Sequence, residues 1–315
     1  MIATGSSAEL PPLLDDDAVR RLLTPSIALE AASRALVDAY RGDLHAPPRM
    51  HASIGEVLLS FTAGGYEHDI VGFRVYGTWA PESDQAVICW DRRGRLRGIV
   101  VGFELGARRT GALGAAAASA LARADADVVA VIGSGTQAWT QLWALRAATP
   151  ATQVRVFSPT QRHREEFARR AIAELGVEGR AVSSAEAAVA DAAIVILATR
   201  SEQPVIEAEW IAAGTHVATI GPKTASAHET PPALAERASV VVSDSPAQAQ
   251  AYEERFFTDR SLTHLGAVLA GEAAGRRTAA DVTLYCSTGV AGSEVVIADA
   301  LLRRVDAAKS YDDDR

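Results

Sequence analysis

Six residues near the middle of the chain, Gly133-Ser134-Gly135-Thr136-Gln137-Ala138, have the spacing G-x-G-x-x-A. Gly133 permits a tight turn, Gly135 lets the main chain approach a pyrophosphate, and Ala138 is small enough for a helix to pack close to a strand. Thr136 and Gln137 open that helix, whose unpaired N–H groups and positive dipole end face the phosphates. A glycine triplet by itself also fits a strand–helix turn with no ligand. The flanks decide between the two. Val128 to Ile132 is an apolar, β-branched run too short for a helix and reads as a buried parallel strand. Trp139, Leu142, Trp143 and Leu145 follow at helical spacing. Strand, glycine turn and helix in that order predict a dinucleotide site.

The end of the next strand, Val154 to Phe157, bears on which dinucleotide it is. An NAD site places a carboxylate there for the ribose hydroxyls. This chain has Ser158, Pro159, Thr160, Gln161 and Arg162 instead. Ser158, Thr160, Arg162 and Arg164 are suited to surround a 2′-phosphate, which the planar guanidinium fork matches. The expected cofactor is therefore NADP(H) in preference to NAD(H). The competing reading makes Arg162 and Arg164 the solvated start of a helix.

These residues need a scaffold, and the downstream pattern supplies one. Ala193 to Ala198, His216 to Ile220, Val240 to Val242 and Thr283 to Tyr285 read as buried strands, with helices such as Arg162 to Leu175 among them. That alternation predicts an α/β fold with a Rossmann-type, doubly wound parallel sheet. Upstream the pattern differs. Thr24-Pro25 reads as a helix cap and first helical position, with Ile27, Ala31, Leu36, Val37 and Tyr40 on one face and Gly42 at the end. Short strands follow at Val57 to Leu59, Val71 to Trp79, Ala86 to Trp90 and Leu96 to Phe103, the last two joined by the hairpin loop Asp91 to Arg95.

The expected organisation is an α+β substrate and dimerisation domain over residues 1–115, joined by a returning helix from 294–315, and a dinucleotide-binding domain over 116–293. Arg109-Thr110-Gly111 opens an alanine-rich helix, Ala112 to Arg123, that joins the two. Met1 to about Asp17 and the acidic tail Tyr311 to Arg315 carry little pattern and are expected to fray.

The 315 residues are 48% apolar and 22% charged, which suits an ordinary globular protein of two domains. A net charge of -8 leaves no basic surface for nucleic acid. Cys89 and Cys286 lack metal-type spacing and suit a reducing compartment, so no metal is expected. With no secretory pattern and no apolar run long enough for a membrane span, the expected setting is soluble and cytoplasmic.

Several ordered stretches resemble the ornithine cyclodeaminase/μ-crystallin family, across about residues 20 to 305. They are Arg49-Met50, Val71 to Val75, Arg109 to Ala112, the glycine loop Ile132 to Ala138, Ala198 to Ile206, Gly214 to Gly221 and Tyr285 to Glu294. The resemblance implies a homodimer and chemistry at the α-carbon of an amino acid, by hydride exchange with a nicotinamide through an imine. It also implies that Arg49, Arg74 and Arg109 hold the substrate carboxylate, a task for which bidentate arginine is suited. Thr199 and Ser287 would contact the ribose or nicotinamide end of the cofactor, and Gly289 would let the main chain approach the ring. Glu294 stands where the family commonly has aspartate, either on the carboxamide side or as a helix-start carboxylate.

Two departures from the family pattern matter. Arg74 replaces a usual lysine; it keeps the grip on a carboxylate but cannot lose a proton, so it is no general base. Lys223 stands where cyclodeaminases and the related alanine dehydrogenases have aspartate. A cation there repels the δ-ammonium of ornithine, which argues against ornithine cyclisation. Lys223 becomes the candidate proton donor, since a lysine desolvated near other cations releases its proton more readily. The other reading is a loop lysine facing solvent. His228 and Glu229 cap the next helix or line the pocket, and Trp79, Tyr76 and Phe61 wall an apolar pocket or pack the core.

The expected function is an NAD(P)H-dependent reductase of imines or ketimines of α-keto acids, in reverse an amino acid dehydrogenase. An NAD-dependent cyclodeaminase and a non-catalytic NADP(H)-binding protein stay open as alternatives.

Overall fold

The computed structural model describes residues 10–79, 83–256 and 261–313. Strand β1 (Leu13–Leu14) and helix α1 (Asp16–Leu22) come first, so the start of the chain is ordered where fraying was expected. Asp15 caps α1 by accepting the Ala18 N–H at 2.8 Å, and β1 pairs with a later strand. Residues 1–9, the rest of that stretch, lie outside the described residues. Helix α2 (Pro25–Arg41) is capped by Thr24 and ended by Gly42, as the sequence predicts. Its buried face is Ala28, Ala31, Ala32, Ala35 and Leu36. Tyr40, expected on that face, is exposed and leans on His264, the ring centroids 5.6 Å apart.

Five antiparallel strands follow: β2 (Met50–Ile54), β3 (Val57–Gly65), β4 (Ile70–Gly77), β5 (Ala86–Asp91) and β6 (Leu96–Val101). With β1 they form one sheet in the order β1-β6-β5-β4-β3-β2. Strand β2 is the finding the sequence did not predict. All five of its side chains are exposed, so it lacks the apolar alternation that marks a half-buried strand. The β5–β6 turn is as expected, Asp91 Oδ1 accepting the N–H groups of Arg93 and Arg95.

Helix α3 (Glu104–Leu121) starts two turns earlier than its alanine run suggests, which puts Arg109 inside the helix rather than at its opening. It lies on α2 and on the helix Thr136–Leu145, and crosses the strands His216–Thr219 and Thr283–Cys286 of the second sheet, making it the joint between the sheets. Gly111 is needed at the crossing, because a Cβ there would collide with the Thr140 carbonyl.

The second sheet is wholly parallel. In chain order its elements are β7 (Val128–Ile132), α4 (Thr136–Leu145), β8 (Gln153–Phe157), α5 (Gln161–Leu175), β9 (Glu178–Ala181), α6 (Ala185–Val189) and β10 (Ile194–Leu197). A 3-10 turn (Ala208–Trp210) leads to β11 (His216–Thr219), α7 (Pro232–Arg237), β12 (Val240–Ser243), α8 (Pro246–Gln250), β13 (Thr263–His264), α9 (Leu265–Leu269) and β14 (Thr283–Cys286). The spatial order is β13-β12-β14-β11-β10-β7-β8-β9. Chain travel reverses at β7, between β8 and β10, and the crevice at the carboxyl ends of those strands is where sheets of this kind take ligands. This is a Rossmann-type doubly wound sheet.

The last helix, α10 (Ser293–Asp313), packs on β3, β4 and β5 and on α2. Val295, Val296, Ile297, Leu301 and Leu302 on it are fully buried. It runs through Asp313, so the tail expected to fray from Tyr311 is helical to that point, and 314–315 lie outside the described residues. Among the described residues, no helix is long and apolar enough to cross a membrane.

Candidate active site

The carboxyl ends of β7, β8, β10, β11 and β14 form one rim. Gly133, just after β7, has φ +115°, and a Cβ on it would collide with the Ala198 carbonyl after β10. Only glycine fits there. Gly135 is the opposite case: it is exposed, and nothing lies within 4 Å of where its Cβ would be. Helix α4 begins next to it with no side-chain cap, Gln137 Oε1 is buried without a partner, and Ala138 is fully buried. A cleft of about 570 Å³ opens beside Ser134, Gly135 and Thr136. An open main-chain approach and uncapped helix N–H groups fit the diphosphate of a dinucleotide.

At the end of β8, Ser158 is buried and its hydroxyl donates to the Thr160 carbonyl at 3.3 Å. Arg164 donates to the carbonyls of Ser158 at 2.9 Å and Pro159 at 3.3 Å, so it braces the loop instead of facing a ligand. Arg162 is exposed and stands 3.6 Å from Glu166. Of the two arginines expected at a 2′-phosphate, Arg164 is thus committed to the main chain and Arg162 is exposed.

Arg49, in the loop before β2, Arg74, in β4, and Arg109, in α3, come together around Gly289 and the start of α10. Glu294, fully buried there, accepts from Arg109 Nη2 at 2.6 Å and Arg74 Nη1 at 3.1 Å through one oxygen, Oε1. Arg74, in β4, also donates Nε to Gln85 Oε1 at 2.9 Å, with Nη2 on the same oxygen, and lies 4.3 Å over the Tyr76 ring. Its donors thus point at Gln85 and Glu294. Arg74 supports the cluster where a direct carboxylate grip was expected. Glu294 lies in the first turn of α10, the helix-start position that was one of its two expected readings, and it also holds two arginines.

Arg49 and Arg109 keep open donors. A Cβ on Gly289 would stand 3.1 Å from Arg109 Nη1 and 3.5 Å from Arg49 Nη2, so both guanidiniums close over this glycine, whose φ is +82°. Arg49 Nη2 also reaches the Thr288 carbonyl at 3.5 Å. The Nε atoms of Arg49 and Arg109 are both buried without a partner. Buried N–H groups of that kind are costly unless an acceptor arrives, and a carboxylate is the natural complement. Burial alone would raise the Glu294 carboxyl, but Arg109 and Arg74 outweigh it and hold the group below the usual carboxylate range. Glu294 stays ionised, one carboxylate shared between the guanidiniums of Arg74 and Arg109.

Two further carboxylates shape the rim. Glu229 is fully buried and accepts five hydrogen bonds: Oε2 from the Thr199 N–H and hydroxyl, each 2.8 Å, and Oε1 from the Thr219 hydroxyl at 2.9 Å, Ile220 N–H at 3.0 Å and Gly221 N–H at 2.6 Å. It ties the end of β10 to the end of β11 and caps no helix. Asp244, which the sequence reading passed over, is also fully buried. It accepts from the Thr288 N–H at 2.7 Å, the Thr288 hydroxyl at 2.8 Å, and the Gly289 N–H and Tyr285 hydroxyl at 2.9 Å each. The sequence signal was Ser243-Asp244-Ser245-Pro246 after an apolar strand, which reads as a helix cap; Ser245 is that cap, and Asp244 holds the Gly289 turn. Thr199 and Ser287 stand on the rim, Thr199 committed to Glu229 and the Ser287 N–H donating to the Thr219 carbonyl at 3.1 Å.

Lys223 is half-buried in the loop after β11, its Nζ donating to the carbonyls of Ile220 at 3.1 Å and Gly221 at 2.5 Å. Its direct contacts are main-chain oxygens, not the arginines. Its loop is clasped by the segment before residue 257, with His228 against Phe256 at 4.7 Å between ring centroids. Both cysteines are buried, and burial pushes each thiol up to about 12, so they are inert at neutral pH. Of the three aromatic residues considered for the pocket, Tyr76 lies under Arg74, Phe61 packs on Phe73, and Trp79 is exposed. Among the described residues, no group of three or more His, Cys, Asp or Glu could hold a metal ion.

Comparison with known proteins adds to this geometry. The chain is 29% identical over 302 residues to the iminosuccinate reductase of Paracoccus denitrificans (strain Pd 1222), which covers 89% of this chain and 92% of that one. The crystal structure of the iminosuccinate reductase of Paracoccus denitrificans in complex with NAD+ has the same fold, with a TM-score of 0.85 and 26% identity across 94% of this chain and 97% of that one. The L-lysine cyclodeaminase of Streptomyces rapamycinicus is 34% identical over 224 residues, 69% of this chain and 64% of that one. The ornithine cyclodeaminase/mu-crystallin family description matches residues 20–309. With a match of that extent, the chain belongs to the ornithine cyclodeaminase/mu-crystallin family.

Proposed function

We propose that the protein is an NAD(P)H-dependent reductase of imines of α-keto acids, working in reverse as an amino acid dehydrogenase. The observation that carries this reading is the pair of guanidiniums of Arg49 and Arg109, which close over Gly289 beside the dinucleotide rim and whose Nε–H groups are buried without a partner. The similarity to an iminosuccinate reductase supports it.

When bound, the nicotinamide supplies the hydride that the imine carbon receives. Arg49 and Arg109 bind the substrate carboxylate and fix its orientation. Arg74 acts through Glu294, holding the carboxylate that in turn aims Arg109. Lys223 Nζ, resting on the carbonyls of Ile220 and Gly221, delivers the proton to the imine nitrogen. Gly133, Gly135, Thr136, Gln137 and Ala138 hold the diphosphate, and Thr199, Ser287 and Gly289 face the nicotinamide end. NADP(H) is preferred, because the end of β8 has Ser158, Thr160 and exposed Arg162 and no carboxylate.

The first sheet with α10 is the substrate and dimerisation domain, and a second copy docks on it. The rings of Phe61, Phe73 and Trp90 support this, running across one face with centroid separations of 6.3 and 5.8 Å.

The similarity to a lysine cyclodeaminase gives the competing reading, against which Lys223 stands as a cation beside a diamine. One experiment separates them. Oxidation of NADPH and NADH is followed with α-keto acids plus ammonia or amines and with cyclic ketimines, while ornithine and lysine with NAD are assayed for ammonia. Imine-dependent oxidation supports the reductase; ammonia release without net cofactor change supports the lyase.

A further inference from the structure

We infer that the substrate's side chain ends in a second carboxylate, held by His51 and Thr62 on the inner face of the first sheet. The inference rests on the reading of this cleft as an imine reductase and names its substrate class.

The face of a sheet that packs on a helix is normally apolar. Deeper in this sheet it is so: Val87, Cys89 and Val100 are buried against the helices. At the open β2 edge the pattern changes. Thr62 pairs with Arg74 across β3 and β4, and Ser60 pairs with Tyr76 on one side and His51 on the other. Directly paired residues share a face, as do residues two apart along a strand. Thr62 and Arg74 therefore form one polar row, next to the loop that carries Arg49, and His51, Ser60 and Tyr76 form a second, about 7 Å further along the strands.

The first row belongs to the carboxylate clamp, and the second leads away from it toward solvent. Thr62 is 4% exposed, and its hydroxyl is buried without a partner. Ser60 is equally buried and spends its hydroxyl on His51 Nδ1 at 3.0 Å, which orients the ring; His51 itself is exposed at the mouth. Neither row carries a carboxylate, and Glu294 is already taken by Arg74 and Arg109.

Three kinds of side chain can be weighed against this surface. An alkyl chain leaves the Thr62 hydroxyl orphaned, which a site built for polar contact penalises strongly. An ammonium meets arginines, and the carboxylates beside them, Glu294 and Asp244, are already held by hydrogen bonds within the protein. A carboxylate accepts from Thr62 and His51 and lies in the positive field of Arg49 and Arg74. The geometry thus favours imines of 2-oxo dicarboxylic acids, with amino dicarboxylic acids as products.

The test compares kcat/KM for oxaloacetate and 2-oxoglutarate with ammonia against pyruvate with ammonia and Δ1-pyrroline-2-carboxylate. At least one dicarboxylic substrate is expected to exceed pyruvate by about 100-fold or more, with that ratio falling about 10-fold or more in His51→Ala and in Thr62→Val. Reading a ratio removes any general loss of folded protein. Equal rates for mono- and dicarboxylic substrates, or ratios untouched by both variants, overturn the inference. Silence with every imine counts against the reductase reading instead. Calorimetric titration of L-aspartate, L-glutamate and L-alanine onto the nucleotide-loaded protein then decides. A dicarboxylic preference that His51→Ala removes supports the inference; equal or no binding overturns it.

Discussion

Glu294 Oε1 accepts a hydrogen bond from Arg109 Nη2 at 2.6 Å, joining two buried side chains 185 positions apart in sequence. The contact occupies one corner of the guanidinium. It leaves Nη1 beside Gly289, while Nε is buried without a partner. Glu294 therefore fixes which edge of the Arg109 guanidinium is occupied.

Arg109→Ala is expected to lower kcat/KM by about 10²–10³-fold, the range for removing one partner of a buried, hydrogen-bonded charge pair. Nucleotide affinity, read by fluorescence titration, is expected to hold within about threefold, since Arg109 stands apart from the diphosphate loop. Arg109→Lys should fall between, restoring the charge but not the planar fork. Full activity in Arg109→Ala would remove Arg109 from the clamp.

Two glycines of one loop are expected to fail differently. Gly133→Ala forces a side chain into φ +115° and against the Ala198 carbonyl, so thermal stability drops by several degrees. Gly135→Ala meets nothing in the protein, so stability is kept while nucleotide affinity falls about 10-fold or more. Thermal melts with and without nucleotide distinguish the two outcomes.

Glu229→Gln replaces an acceptor with a donor amide where five donors already converge. Some of those N–H or hydroxyl groups must lose their partner, at a cost of about 1–3 kcal/mol each before relaxation. Urea unfolding is expected to show a clear loss of stability, with weaker nucleotide binding because the ends of β10 and β11 separate. An unchanged midpoint would mean that the amide is accommodated.

His216 supplies a pH dependence. It is fully buried, and burial, with Arg276 nearby, lowers its imidazole to about 3, against about 6.5 in an unfolded chain. The folded protein keeps it neutral while the unfolded chain takes up a proton. Its contribution is therefore complete above about pH 6.5 and is lost as pH falls toward 3, at up to about 1.4 kcal/mol per pH unit. Urea midpoints between about pH 6.5 and 4.5 should fall less steeply in His216→Gln than in the parent. Equal slopes would show that His216 is protonated in the folded state.

The parallel sheet was legible in the sequence because buried strands are continuous apolar runs, and the Gly133 turn because its glycines sit between such a run and a helix. Strand β2 was not, since Met50 to Ile54 faces solvent throughout and has no alternation to read. The start of α3 was missed because Glu104 to Arg108 carries charges that an exposed loop also carries. For the site, residue types at matching positions pointed to Arg49, Arg74 and Arg109, and the fold brings them together. Their division of labour was invisible. Arg74 is drawn to Gln85 and Glu294 by contacts made only after folding, and nothing in the chain distinguishes Asp244 or Glu229 as buried from a carboxylate in water.

Strand β2 also bears on how a protein of this architecture acquires new substrates. Its side chains are all exposed, and replacing such residues usually changes stability by no more than about 0.5 kcal/mol. His51 can therefore be exchanged through many residue types while the nucleotide rim, with its saturated carboxylates and close-packed glycines, stays as it is. One edge of the molecule is open to variation and the other is constrained, so changes along β2 need no prior rescue of folding.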